Sequence, residues 1–308
     1  MTGISDQRLR LTLRQLEVFS ATARAGSTRA AADKVSRSQS AASSALADLE
    51  SLLGVPLFDR VGRRLVLNEN GRAFLPRAAA LLDQALEVES LFAGEHATRL
   101  RMASSFTIGE YLLPPLIARW KEAHPRSQVQ LDIANTRDVL RLVADFDVDV
   151  GFIEGTGSHP SLHIRHWMND EIVIVAAPGH PLAGKSTSLK QLAAASWIVR
   201  EQGSGTREAT DRWLTARLDQ INISLELGSN EAIKRTVASG LGLGCLSRHA
   251  ITDAVTSGVL VMISSPMLPM QRSLSMVVHQ SKQLGSTALD FVRHCFDQGR
   301  RTTASSHI

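Results

Sequence analysis

Two sets of side chains in this sequence have the types and spacing to do chemistry. The first is Ser38-Gln39-Ser40, followed by Ser43 one turn later, in the run SRSQSAASSALADLESLLG. Short hydroxyl and amide side chains crowded at the start of a helix can reach phosphates or base edges. A glutamine there can pair with adenine in a major groove, whereas a serine serves either phosphate or base. Arg37 beside them, and Arg60, Arg63 and Arg64 some twenty residues on, supply cations for a phosphate backbone, and Thr28 stands at the start of the preceding helical stretch. For each of these the plainer alternative is a helix cap or a solvated surface charge.

The second set is spread over the long C-terminal part. Ser104, Ser105 and Thr107 follow an apolar stretch and precede a helical one; Gly203-Ser204-Gly205-Thr206-Arg207 repeats that arrangement after SWIV; Asn135 and Thr136 form a third polar turn before a helix. Hydroxyls and free amides where strands run into helices can bind a small anion, and glycines let the backbone come close. Asn230, at a further helix start, joins them. Glu154 in GFIEG must either be neutralised, with Arg207 the candidate cation, or meet a cationic part of a ligand. Helix caps and turns, which every α/β fold needs, are the alternative.

Other features carry less. Gly240-Leu-Gly-Leu-Gly244 lies between a helix and a strand, the wrong order for cradling a phosphate. The ten histidines show no metal-ligand spacing, and Cys245 and Cys295 stand far apart without a CxxC pair, Cys245 within an apolar strand. No nucleophile with a base, paired carboxylates or cofactor motif has spacing above chance, so no enzyme and no cofactor are expected.

The elements that must hold these residues fall into three parts. At 308 residues the chain exceeds what one compact core serves, and at 44% apolar and 21% charged it has the composition of an ordinary soluble globular protein. Neither a membrane span nor a secretory signal is visible, which places the protein in the cytoplasm with no membrane partner. Residues 1–72 hold 11 Lys or Arg against 7 Asp or Glu, so the whole net charge of +4 sits there and the remainder balances at 23 against 23.

Helical spacing predicts a first helix from Thr12, closed by Gly26, a short one over Thr28–Val35, and a third capped by Ser38. That is a helix-turn-helix, and the cationic hairpin after Gly54, with Leu57-Phe58 and Leu65-Val66-Leu67 as strands turning at Val61-Gly62, is its wing. Phe74, Ala78, Leu81, Ala85, Val88 and Phe92 then recur at heptad spacing and predict a dimerisation helix. The domain boundaries follow: 1–68 DNA-binding, 69–94 linker helix, 95–297 a two-lobed α/β domain, and 298–308 a disordered tail. Within the two-lobed domain, 95–167 and 271–297 form one parallel-sheet lobe, 168–270 the other, and the chain crosses near Trp167–Asp170 and Ser264–Gln271.

The run LRQLEVFSATARAGSTRAAADKVSRSQSAASSALADLESLLGVPLFDRVGRRLVLNENG resembles the signature of the LysR-type transcriptional regulators, and the two-lobed remainder resembles their periplasmic-binding-protein-like effector domain. Within the family, SQSAASSALADLE, GFIEG, REQGSGTRE and SNEAIKRTVASGLGLGCLSR are most similar to the YeiE-like subgroup, related to regulators of sulfur and carbon assimilation. The resemblance implies a homodimer or dimer of dimers on promoter DNA, with RNA polymerase as a further partner and a small-molecule effector between the lobes. A small anion is the expected effector: a sulfur oxyanion such as sulfite or sulfate, or a carboxylate. The sequence departs from the commoner family pattern at Ser40 and Ser44, where proline and arginine are frequent. A two-lobed solute-binding protein and a non-regulatory nucleoid protein are the alternatives; the first would need a signal peptide, the second would not need the lobes.

Overall fold

The computed structural model describes residues 9–62, 64–92, 99–218, 220–267 and 269–305. It divides into two compact units, residues 1–96 with 281–285 and residues 97–280 with 286–308.

In the first unit, α1 (Leu13–Ala25) opens on a capping box, in which Thr12 accepts from the Gln15 amide and the Gln15 side chain reaches back. Gly26, with φ of 66°, closes it in the left-handed conformation, and Ser27 caps α2 (Thr28–Lys34). Ser38 caps α3 (Gln39–Leu53), and Gly54 ends it. The hairpin is β1 (Phe58–Val61) paired antiparallel with β2 (Arg64–Leu67), from Phe58 opposite Leu67 to Val61 opposite Arg64. Asn68 accepts from the Gly71 amide at the start of α4 (Glu69–Phe92), which continues through Pro76.

Leu16, Phe19, Ala31, Leu46, Leu49, Leu57 and Leu75 form the core of this unit, and the Phe19 ring packs against Phe58 and Phe74 with centroids 5.5 and 5.1 Å apart. Gly71 is the tightest point, because a Cβ there would lie 2.1 Å from the Leu57 carbonyl oxygen. Gly71→Ala is therefore expected to lower the stability of this unit by roughly 1–3 kcal/mol, the range for overpacking. Thermal unfolding followed together with DNA binding checks it, since both should fall while the second unit melts unchanged.

The expected dimer seam is divided. Phe74 and Ala78 are used inside the protomer, Ala78 with no exposed surface, while Leu81, Leu86 and Val88 are 44, 62 and 57% exposed. Phe74 and Ala78 thus serve the helix-turn-helix core, which needs the first turns of α4 as a wall, and among the described residues the exposed apolar side chains of the seam belong to the later turns. The side chain of Phe92 lies outside the described residues.

The second unit is built on one nine-stranded mixed sheet. Its strands are β3 (Arg99–Ser105), β4 (Gln128–Ala134), β5 (Val150–Glu154), β6 (Leu162–Ala176), β7 (Ser196–Arg200), β8 (Asn222–Leu227), β9 (Leu243–Ser247), β10 (Val261–Met262) and β11 (Met270–His279). They are ordered β4-β3-β5-β11-β6-β9-β7-β8, with β10 on β6. The two parallel sheets expected from the sequence are its ends, β4-β3-β5 and β9-β7-β8. The 15-residue β6 and the antiparallel β11 join them, so the crossings occur inside paired strands rather than in connectors. Each lobe keeps its own core, around Val139, Val143 and Val277 in the first and around Trp197, Leu214, Leu243 and Ile174 in the second.

The helices are α5 (Leu113–Ala123), preceded by a π-turn over Ile108–Leu112, α6 (Thr136–Ala144), α7 (Leu189–Ala194), α8 (Gly205–Thr215), α9 (Asn230–Ala238), α10 (Arg248–Thr256) and α11 (Ser286–Ser305). The tail expected to be disordered from residue 298 instead prolongs α11 to Ser305. Trp167 anchors that helix by donating its indole N–H to the Cys295 carbonyl, and Phe291 packs edge-on against Trp120. Among the described residues, no helix is long and apolar enough to cross a membrane.

Candidate functional site

On the first unit, Ser38 spends its hydroxyl on the cap of α3, accepting from the Ala41 amide and lying 3.1 Å from the Ser40 hydroxyl. Gln39 is the first residue of α3, and Gln39, Ser40 and Ser43 are exposed there, as are Arg37, Arg60 and Arg64. Ser43 donates to Thr28, half-buried at the start of α2, at 3.4 Å. Arg63 lies outside the described residues. The exposed residues present a polar helix start and cations on the hairpin, the complement of a groove and its flanking phosphates.

In the second unit, a buried polar centre lies where the lobes meet. Glu154 ends β5 in the first lobe. Its carboxylate accepts from the Thr107 amide, the Thr206 hydroxyl and Arg272 Nη1, each at 2.7 Å. Thr107 belongs to the first lobe and Thr206, in the first turn of α8, to the second, so one carboxylate holds both. Arg272 on β11 sits in register opposite Asp170 on β6; its Nε donates to Asp170 at 2.7 Å, and Nη2 donates to the Thr107 hydroxyl at 3.2 Å. Ser247 donates to the other Asp170 oxygen. Burial alone would raise the Glu154 pKa, but Arg272, the Thr206 hydroxyl, Arg200 and the Thr107 amide outweigh it and hold the carboxyl down at about 2.

Around this centre, Asn230 donates to Thr107 at 3.2 Å and accepts from Arg200 Nη1 at 2.7 Å. Arg200 is clamped by both Glu201 oxygens and lies 4.4 Å from the centroid of the Phe106 ring. Thr136 donates to the Glu154 carbonyl at 3.3 Å. Gly205 makes the approach of the lobes feasible, since a Cβ there would lie 2.2 Å from the Glu154 carbonyl oxygen. Ser104 donates to the Ser105 carbonyl, whereas the buried Ser105 hydroxyl has no partner.

Several residues of the second set act locally. Asn135 accepts from the Asp138 amide as the cap of α6, Ser204 from the Arg207 amide as the cap of α8, and Gly203, at φ of 93°, turns the chain beside Arg137. Arg207 is not the cation facing Glu154. Its Nε pairs with Asp211 one turn along α8, and its Nη1 donates to Glu226 and to the Arg200 carbonyl. The cation in that place is Arg272. Arg272, Asp170, Arg200 and Phe106 were not singled out in the sequence, though lone charges inside the apolar strands WMNDEIVIV and MQRSLSMVV carry a signal: a buried charge requires a partner.

Two family models cover most of the chain: bacterial regulatory helix-turn-helix protein, lysR family, over residues 13–72, and LysR substrate binding domain over residues 93–300. The HTH-type transcriptional regulator YeiE of Escherichia coli (strain K12) is 46% identical over 287 residues, 93% of this chain and 98% of that protein. The regulatory domain of Synechocystis PCC6803 CcmR in complex with 2-PG matches with a TM-score of 0.61 at 28% identity, covering 66% of this chain and 97% of that one. A full-length OxyR variant from Pseudomonas aeruginosa shares the fold over 95% of this chain and 96% of its own, with a TM-score of 0.71 at 22% identity. With a DNA-reading helix pair at one end and a two-lobed polar centre in the rest, the chain belongs to the LysR family of helix-turn-helix transcriptional regulators and carries that family's effector-binding domain.

Proposed function

We propose that this regulator binds promoter DNA as a homodimer or dimer of dimers and is controlled by a small anion, either a carboxylate or a sulfur oxyanion such as sulfite or sulfate. The observation that carries the effector class is the buried Glu154 carboxylate, on which hydrogen-bond donors of both lobes converge. Donors from both lobes, together with Arg272, make the interlobe centre a place where buried negative charge is stabilised. The buried, unpartnered Ser105 hydroxyl, two residues before Thr107 in the chain, is a further donor. CcmR solved with 2-PG supports a small molecule in this domain. The exposed apolar residues of the later turns of α4 support pairing between copies.

An anion that binds one arrangement of the lobes more tightly than another shifts the population between them, and with it the DNA-bound state. In this reading the protein works in the cytoplasm, meets RNA polymerase at its promoters and needs no cofactor beyond the effector. The test is thermal unfolding of the full-length protein against sulfite, sulfate, phosphate and short carboxylates, combined with a promoter footprint. An anion that raises the melting temperature and alters the footprint is the expected result; stabilisation without any change in footprint or bending would refute control by that ligand.

The DNA half makes a separate prediction. Gln39→Ala should cost about 1–3 kcal/mol at the cognate site and relax discrimination at one base pair, whereas Arg64→Ala should weaken all sequences alike and reduce the salt slope by about 1. Titrations on cognate and scrambled duplexes at several salt concentrations separate the two. Equal losses on both duplexes for Gln39→Ala would remove it from base reading.

A further inference from the structure

We propose that closing of the two lobes takes up a proton on Glu110. The π-turn of the first lobe carries Glu110 and Tyr111, and Tyr111 meets Glu231 and Lys234 in the first turns of α9 in the second. Tyr111 Oη donates to Glu231 Oε1 at 2.5 Å, Lys234 Nζ donates to the same oxygen at 2.6 Å, and the ammonium lies 5.4 Å from the centroid of the Tyr111 ring. Asn230 reaches Thr107 one turn away. Glu110 adjoins this contact, and its Oε2 is buried with no hydrogen-bond partner.

Among the described residues, the charges facing Glu110 leave nothing to pair it. Glu231 and Lys234 face it from α9, Arg200 from β7 and Glu154 from β5, while Asp253 on α10 faces its neighbour Tyr111. Lys234 is bonded to Glu231, both Glu201 oxygens hold Arg200, and Arg272 holds Glu154. An ionised Glu110 would therefore be a second carboxylate beside Glu231 in a half-buried contact. Burial and then Glu231 push its pKa up, with Arg200 and Lys234 opposing them only in part. When the lobes part, α9 leaves, water reaches the buried Oε2 of Glu110 and the proton is released. Because the raised value belongs to the closed arrangement, acid favours closure and rising pH opposes it, by up to about tenfold in the population ratio per pH unit for one proton.

The inference rests on the two-lobed effector domain and not on which effector binds, so an anion screen that finds nothing leaves it standing. Tyr111 is the only tyrosine in the chain, which supplies the probe. Full-length protein labelled with 3-fluorotyrosine gives one 19F resonance at this contact. The expected result is a docked signal that yields to an undocked one as pH rises through a one-proton transition, and a Glu110→Gln protein that stays docked across the same range. A wild-type signal indifferent to pH overturns the proposal without any variant. So does a Glu110→Gln profile that superimposes on wild type, which would assign the transition to another group.

Discussion

Arg272→Ala should lose about 3–5 kcal/mol of effector-domain stability, the usual consequence of removing one partner from a buried ion pair. Arg272 is 5% exposed and its guanidinium is shared between two buried carboxylates, Glu154 and Asp170, so its removal strands both. Arg272→Lys should recover part of this, because an ammonium keeps the charge but not the planar fork that spans Asp170, Glu154 and Thr107. Denaturant unfolding of the three proteins measures the series.

The pH dependence supplies a sharper reading than the magnitude. In the wild type the Glu154 pKa is depressed, so its contribution is present above the usual carboxyl value near 4.5 and is lost as pH falls toward about 2. Without Arg272 the largest opposing influence is gone, and burial, which pushes the value up, should prevail. Glu154 would then favour the folded state when protonated, and stability would decline as pH rises. A reversal of slope on the acid side is expected; a parallel displacement of the whole curve would show that Arg272 acts through packing and not through Glu154.

The sequence exposed local structure better than what pairs across it. The cap at Ser38 and the glycine ending α1 were legible because each is a signal confined to one turn. Glu154, Thr107, Thr206 and Asn230 were legible as polar residues where strands run into helices, and the structure brings them together. Arg207 was misread because spacing places it near the same helix start without giving the direction of its side chain, and Asp211 at i+4 draws it along the helix. Arg272 and Asp170 are 102 residues apart and meet only because β6 and β11 run antiparallel through both lobes. The sequence suggested two parallel sheets because its alternation of strands and helices is local, and the joining of those sheets is not. The heptad in α4 shows the same limit: periodicity marks an apolar face and does not say whether the face meets its own domain or another copy.

Gly205→Ala should abolish the anion response while leaving the protein folded. Gly205 opens α8, where alanine suits the helix better than glycine, so the second lobe itself gains or is unaffected. Across the cleft an added Cβ would lie 2.2 Å from the Glu154 carbonyl oxygen and 2.8 Å from the Thr136 hydroxyl, the first a backbone atom that cannot swing aside. Restoring ordinary contact requires the lobes to part by about 1 Å, which carries a 2.7 Å bond such as Thr206 to Glu154 beyond hydrogen-bonding range. The donors from the two lobes would no longer converge on one point, and a small anion would meet only one side of its site. Gly228→Ala, where an added Cβ meets nothing within 4 Å, is the matched control. The expected outcome is an unfolding temperature near that of the control, with no rise on adding the anion that stabilises the wild type. A Gly205→Ala protein that still responds to that anion would mean that ligand binding does not require the lobes to meet at Glu154.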